Sequence, residues 1–418
     1  MFNRRRFLQM AAAVPASTVL GHYNALAAPQ RNKVKITAVK HMMVRGLREW
    51  NLIRVETDAG IAGIGEAYYG RGIKELISQI GALIVGNDPL DIDMLYTKMS
   101  RNAFNGYTSG MTFAALSGIE IALWDTAGKI LGVPVSKLLG GQYRQTIEAY
   151  WTRRPEDPMS PASCREFAAM LKSHPYGMKS VKCDFVTRME HPDEPFSRQW
   201  NTGDLKRNAT AYNNIREALG DDYGIAVHCH WEFDWGAAIN LARAVAPMRP
   251  MWLEDPMPPD YSESWPKLTA NSPVPILQGE NLQTRHGHAS FIQNQGSHYI
   301  CIEPLKAGGL LETKKIADFA DTYYLPVTMH MIHSPVGFLA EAHCAATIRD
   351  FLRHEFNIGY PKPRDPLGTT DEWEKYAIYD RPFIKDGHIQ LSDKPGLGVE
   401  LNEDHVRRNL VDGEKWWA

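Results

Sequence analysis

The sequence predicts an α/β protein in which a small α+β unit precedes a closed barrel of parallel strands and helices. Three observations predict it. Short apolar runs of strand length alternate with helix-length amphipathic stretches through the middle of the chain. A polar, chemistry-bearing residue stands at the end of most of these runs. The positions 228, 254, 280, 303, 330 and 355 recur at intervals of 23 to 27 residues, about the length of one strand, one helix and two loops. With 418 residues, 44% of them hydrophobic and 22% charged, the chain can build a barrel and an attachment.

The elements follow in order. Arg4, Arg5 and Arg6 precede Phe7 and Leu8, an Ala-rich apolar run reaches Leu20, and Ala25-Leu26-Ala27 offers a cleavage site. Residues 1–27 therefore predict a Tat-like export signal cut near Ala27, and a periplasmic destination. Residues 33–141 predict the α+β unit. Two β-rich runs, 35–44 and 51–57, are joined by a loop carrying Arg45, Arg48 and Glu49, and Asp58-Ala59-Gly60 turns the chain into 61–66. Apolar spacing predicts a helix over 111–130, stopped by Gly132 and Pro134. The barrel is expected over 146–375, with strand-length runs at 180–183, 224–228, 251–253, 275–277, 299–302 and 326–328. Residues 376–418 are turn-rich, with Asp386-Gly387 and Pro395-Gly396-Leu397-Gly398.

Composition excludes several classes. A net charge of -2 without a basic run argues against a nucleic-acid partner. Beyond the N-terminus no apolar stretch is long enough for a membrane span. Five cysteines, an odd number without C-x-x-C spacing, make neither a disulfide framework nor a zinc knuckle and are read as core residues.

The strand ends carry the chemistry. Lys182 and Asp184 follow the run at 180; His228 and His230 follow the run at 224. Glu254, Glu280, Glu303, His330 and Glu355 follow the later runs. A single acid there is often a helix cap. Three glutamates in phase with two histidines instead suit a hard divalent cation at the mouth of a barrel. Strand alternation predicts that His228 and His230 share one face, as do Lys182 and Asp184, while Cys229 and Cys183 point away.

Trp252-Leu253-Glu254-Asp255-Pro256, Pro275-Ile276-Leu277-Gln278-Gly279-Glu280 and Ala307-Gly308-Gly309 resemble the barrel of the enolase superfamily. Residues 117–124 with Gly132-Val133-Pro134 and Leu138-Leu139-Gly140-Gly141 resemble the end of its capping domain, and 395–398 its C-terminal return segment. His330 with an acid at 303 is similar to the mandelate racemase and acid-sugar dehydratase group. The resemblance implies a modified TIM barrel whose cap is completed by 376–418. It implies a divalent metal held by His228, Glu254 and Glu280, which stabilises the enediolate formed when a carboxylate substrate loses its α-proton. His330 would be the base, oriented by Glu303, and His230 the acid that protonates a departing hydroxyl. Glu355 matches an acid bonded to the substrate carboxylate, and Lys182 the first lysine of a K-x-K pair.

Three positions depart from the family pattern. The resemblance implies Mg²⁺ as the ion, but His228 replaces an aspartate, so Mn²⁺ or Zn²⁺ gains ground as an alternative. Asp184 replaces the second lysine, which disfavours two-base racemisation and leaves dehydration open. Glu303 replaces a shorter aspartate. Substrate contacts are expected from Arg153, Trp231, Arg45 and His333, while His286 and His288 are read as surface residues. The expected function is dehydration of a sugar acid or related α-hydroxy carboxylate, by a homo-oligomer. An epimerase or cycloisomerase using the same enediolate, and an exported binding protein without turnover, are the alternatives.

Overall fold

The computed structural model describes residues 33–103, 109–183, 198–199, 201–358 and 370–417. The expected export signal and Asp184 lie outside these residues.

Three antiparallel strands open the described chain: β1 (Ile36–Arg45), β2 (Glu49–Thr57) and β3 (Ala62–Ala67). β2 is central, with Arg45 opposite Glu49 on one side and Glu56 opposite Ala62 on the other. Helices α1 (Ile73–Ala82), α2 (Ile92–Ala103) and α3 (Met111–Leu131) pack with this sheet. α1 buries one stripe, Ile73, Ile77 and Ile80, as a surface helix should. α3 is buried on most of its circumference because it also meets the barrel. Gly65 allows β3 to touch it: a Cβ there would stand 2.4 Å from the Gly118 carbonyl.

Eight parallel strands then form the barrel: β4 (Thr146–Thr152), β5 (Ser180–Cys183), β6 (Gly224–His228), β7 (Leu253–Glu254), β8 (Ile276–Gln278), β9 (Tyr299–Ile302), β10 (Val327–Met329) and β11 (Phe351–Phe356). Pairing of His354, Glu355 and Phe356 with Ala149, Tyr150 and Trp151 closes it. Between successive strands lie α4 (Pro161–Ser173), α5 (Thr202–Leu219), α6 (Trp235–Val245), α7 (Ser264–Asn271), α8 (Thr284–Gln293), α9 (Leu310–Asp321) and α10 (Pro335–Ala345). Asn201, Asp234 and Ser334 cap α5, α6 and α10 by accepting backbone N–H bonds. Inside the barrel Tyr150, Ala226, Trp252, Leu277 and Cys301 form an apolar plug. The chemistry is thereby confined to the end above it.

The C-terminal segment returns to both parts. His388–Gln390 pairs antiparallel with the first half of β4. Val411 N–H donates to the Met43 carbonyl and Arg45 N–H to that of Asn409, which ties the segment to β1.

The architecture is the expected one: a parallel barrel with a capping domain built on an antiparallel sheet. The details shift where sequence patterns are weak. β7, β8 and β10 run one residue past the expected ends, through Glu254, Gln278 and Met329. β11 mixes apolar residues with Arg353, His354 and Glu355, so it does not read as an apolar run. All five cysteines are free and buried, as expected.

Candidate active site

The C-terminal ends of β5 to β8 bring Lys182, His228, Glu254 and Glu280 together, and Asp255 joins them. Donor atoms of His228, Glu254, Asp255 and Glu280 all lie within 4.8 Å of one another, and all four residues are buried. Lys182 Nζ is 2.9 Å from Glu254 Oε1 and 2.9 Å from Glu355 Oε1. Trp252 Nε1 donates to Glu254 Oε2 at 2.9 Å. Two buried oxygens, Asp255 Oδ2 and Glu280 Oε2, have no hydrogen-bond partner among the described residues.

Electrostatics follow from this crowding. Burial and the Lys182 ammonium oppose charge on the His228 ring, yet Glu254, Asp255 and Glu280 outweigh them and raise its pKa to about 9. Burial also opposes charge on Glu280, but His330, His228 and Lys182 bring its pKa down to about 2. Asp255 is pushed up to about 6, by burial first. Partnerless carboxylate oxygens beside an imidazole are the donor set that a divalent cation takes. The residues present therefore fit the metal that the sequence leads one to expect.

Next to this group stands a second one, Glu303, His330 and His333. His330 Nδ1 is 2.5 Å from Glu303 Oε2, and a carboxylate can only accept, so this nitrogen carries the proton. Its Nε2 then lies on the side of the carboxylate cluster, 3.7 Å from Glu280 Oε2. His333 Nε2 lies 3.0 Å from both oxygens of Glu303 and 3.2 Å from Glu341. Burial works against charge on His330, while Glu280, Glu303 and Glu355 raise its pKa above the ordinary value. Glu303 also accepts from Leu305 N–H at 2.9 Å, so it caps the short helix Pro304–Ala307 while holding His330.

His230 reaches the site by a different route from the one expected. β6 ends at His228, so strand alternation does not extend to residue 230. Instead His230 and Trp231 have φ of 51° and 63°. Trp231 N–H donates to the Asp255 carbonyl at 2.7 Å, which fixes this turn. The rings of His228 and His230 end 3.9 Å apart, tilted by 31° to each other. Trp231 stands 5.7 Å from the His230 ring.

Other expectations are met unevenly. Arg153, at the end of β4, is buried with its guanidinium 4.8 Å from the Trp151 ring. Glu355 is buried in β11, with Lys182 and the Thr152 hydroxyl on one oxygen and Met331 N–H 3.3 Å from the other. Lys182 pairs with Glu254, one of the expected metal ligands. Arg45 is not drawn into the site: it pairs with Asp412 of the C-terminal segment at 2.5 Å. His286 is exposed, but His288 is buried and bonded to the Thr284 carbonyl at 2.8 Å, because it lies on the inward face of α8.

Sequence reasoning missed Asp255, which strand alternation points away from Glu254, although it stands in the quoted motif. It also missed Tyr68 of the capping domain, 6.3 Å from the His330 ring, and Lys306, whose ammonium lies 4.4 Å from the Tyr68 ring. No pattern singles out Tyr68, whereas Lys306 follows Glu303 by one helical turn.

Comparison with known proteins places this geometry in a family. Residues 164–405 match the enolase C-terminal domain-like family and residues 29–140 match the mandelate racemase / muconate lactonizing enzyme N-terminal domain. The chain belongs to the enolase superfamily, in its mandelate racemase-like branch. It is 36% identical to a D-xylonate dehydratase of Haloferax volcanii, over 91% of this chain and 90% of that one. It is 29% identical to a D-galactonate dehydratase of Pectobacterium atrosepticum, over 88% and 92%. Among solved structures, a mandelate racemase/muconate lactonizing enzyme-like protein from Rubrobacter xylanophilus aligns with a TM-score of 0.84 at 30% identity, covering 92% of this chain and 99% of that one.

Proposed function

We propose that the protein is a metal-dependent acid-sugar dehydratase, a hydro-lyase that removes water from a polyhydroxy carboxylate and leaves a keto acid. The observation that carries this reading is the His330–Glu303 pair set against the carboxylate cluster. A base with one nitrogen anchored and the other open lies 3.7 Å from Glu280. The relatives named for D-xylonate and D-galactonate supply the substrate class.

His228, Glu254 and Glu280 would hold the cation, which when bound anchors the substrate carboxylate and stabilises the charge that develops as the α-proton leaves. His330 Nε2 accepts that proton. Glu303 balances the positive charge the ring then gains and keeps Nδ1 as the donor. His230, beside His228 and partly exposed to the cavity, protonates the departing β-hydroxyl. Lys182 is not a second base in this reading: it is buried and ion-paired with both Glu254 and Glu355, 2.9 Å from each. That argues for elimination over two-base epimerisation.

Incubation with a panel of acid sugars, D-xylonate and D-galactonate first, and a divalent metal should give a keto-acid product from at least one. Absence of keto product across the panel would overturn the dehydratase reading. Export belongs to the same proposal, supported by the arginines and apolar run before Ala27. Mature protein recovered from the periplasm should begin just after Ala27. Unprocessed protein retained in the cytoplasm would contradict it.

A further inference from the structure

The residue after Glu254 has no role in the reaction above, yet its side chain is built into the cation site. In a strand, Asp255 would point away from Glu254. Its φ of 47° breaks the alternation, and both side chains join the same cluster of donor atoms. Aspartate is one of the few side chains that tolerates this conformation. Oδ1 is held at 3.4 Å by Gly279 N–H. Among the described residues Oδ2 is buried without a hydrogen-bond partner, 3.8 Å from His228 Nε2. Glu280 Oε2, equally without one, is 3.9 Å from that same nitrogen. Donors that each lie about 2.2 Å from one shared cation are spaced in this range.

We infer that Asp255 is a ligand of the divalent cation and supplies the negative charge that His228 does not. The inference rests on the cation-site reading above. Charge counting gives it weight. His228, Glu254 and Glu280 alone offer two negative charges, and Lys182 opposes one of them at 2.9 Å from Glu254. A hard cation is then weakly neutralised. With Asp255 the set carries the three negative charges that three carboxylates would, and the histidine at 228 costs the site no charge.

The test is Mn²⁺ binding, read from the electron paramagnetic resonance of the free aqueous ion and needing no substrate. Parent protein, Asp255→Asn, Glu280→Gln and the His228→Asp/Asp255→Asn double variant are compared, with circular dichroism in chelator to establish folding. Asp255→Asn should weaken Mn²⁺ binding by about tenfold or more, as loss of a charged ligand does. The double variant should recover most of that loss, since the missing charge returns at 228. Weakening below tenfold while Glu280→Gln loses binding, or no recovery in the double variant, overturns the role of Asp255. If Glu280→Gln binds Mn²⁺ as the parent does, the cation site itself is misplaced and the inference falls with it. Should Asp255→Asn not fold, Asp255→Ser carries the same comparison.

Discussion

Glu303 serves three partners with two oxygens: His330, the proposed base, the imidazole of His333 and the N–H of Leu305. Burial disfavours its charge, but His333 and His330 hold its pKa well below the usual carboxylate range. It is therefore an anion throughout the working pH range, and the base never loses its counter-charge. Glu303→Gln removes that charge while keeping the shape. It should lower kcat by about 10²-fold or more and change KM little, because Glu303 sits behind His330 and not on the substrate. Steady-state kinetics on the acid sugar turned over checks this; an unchanged kcat would contradict it. At this scale the sequence is informative where a residue ends a strand in phase, as at Glu254, Glu280, Glu303 and His330. It is silent where the backbone leaves the strand. Asp255 and His230 owe their aim to positive φ, which a two-residue periodicity cannot express.

Strand ends are accordingly the elements on which the site depends. Between β8 and Glu280 stands Gly279, with φ of 132° and a hypothetical Cβ 2.4 Å from the Cys301 carbonyl on the neighbouring strand. Both the conformation and the space require glycine there. Gly279→Ala should cost about 2 kcal/mol or more, since the obstructing atom is backbone in a closed sheet and cannot move aside. Urea unfolding measures it, and a loss well below 1 kcal/mol would show that this strand end adapts. α3 was legible almost to the residue because its apolar spacing is long and ends at Gly132. Strands of two or three residues, such as β7 and β10, give little pattern beyond their phase.

Across the whole molecule, capping domain and barrel are joined by buried polar contacts that no local pattern announces. Glu66 of β3 accepts from the backbone of Ser334 and Gly337 at the start of α10, the helix that follows the His330 loop. Glu120 of α3 accepts from Leu310 and Leu311 N–H at the start of α9. Both place a carboxyl group at a helix N-terminus, where the macrodipole favours negative charge. α10 also reaches the C-terminal segment through His343, whose Nε2 is 3.2 Å from the Leu397 carbonyl. Burial lowers the His343 pKa from 6.5 to about 4. Its folded pKa is depressed, so the stability it contributes is present above pH 6.5 and lost as pH falls toward 4, about 3 kcal/mol in all. His343→Gln has no such proton to gain, and its stability relative to the parent should rise by that amount between pH 7 and pH 4. A constant difference would contradict the neutral, buried ring. The barrel and its cap were legible because repeating units impose a period on the sequence; their docking was not, because it joins residues far apart in the chain. The central claim is that His330 takes the α-proton and His230 acts only afterwards. Deuterium incorporation at the α-carbon of an acid sugar in D₂O, followed by nuclear magnetic resonance, tests it most directly. His230→Ala should exchange the α-proton without forming keto acid, and His330→Ala should do neither. Exchange at the parental rate in His330→Ala, or parental keto-acid formation in His230→Ala, would contradict the assignment.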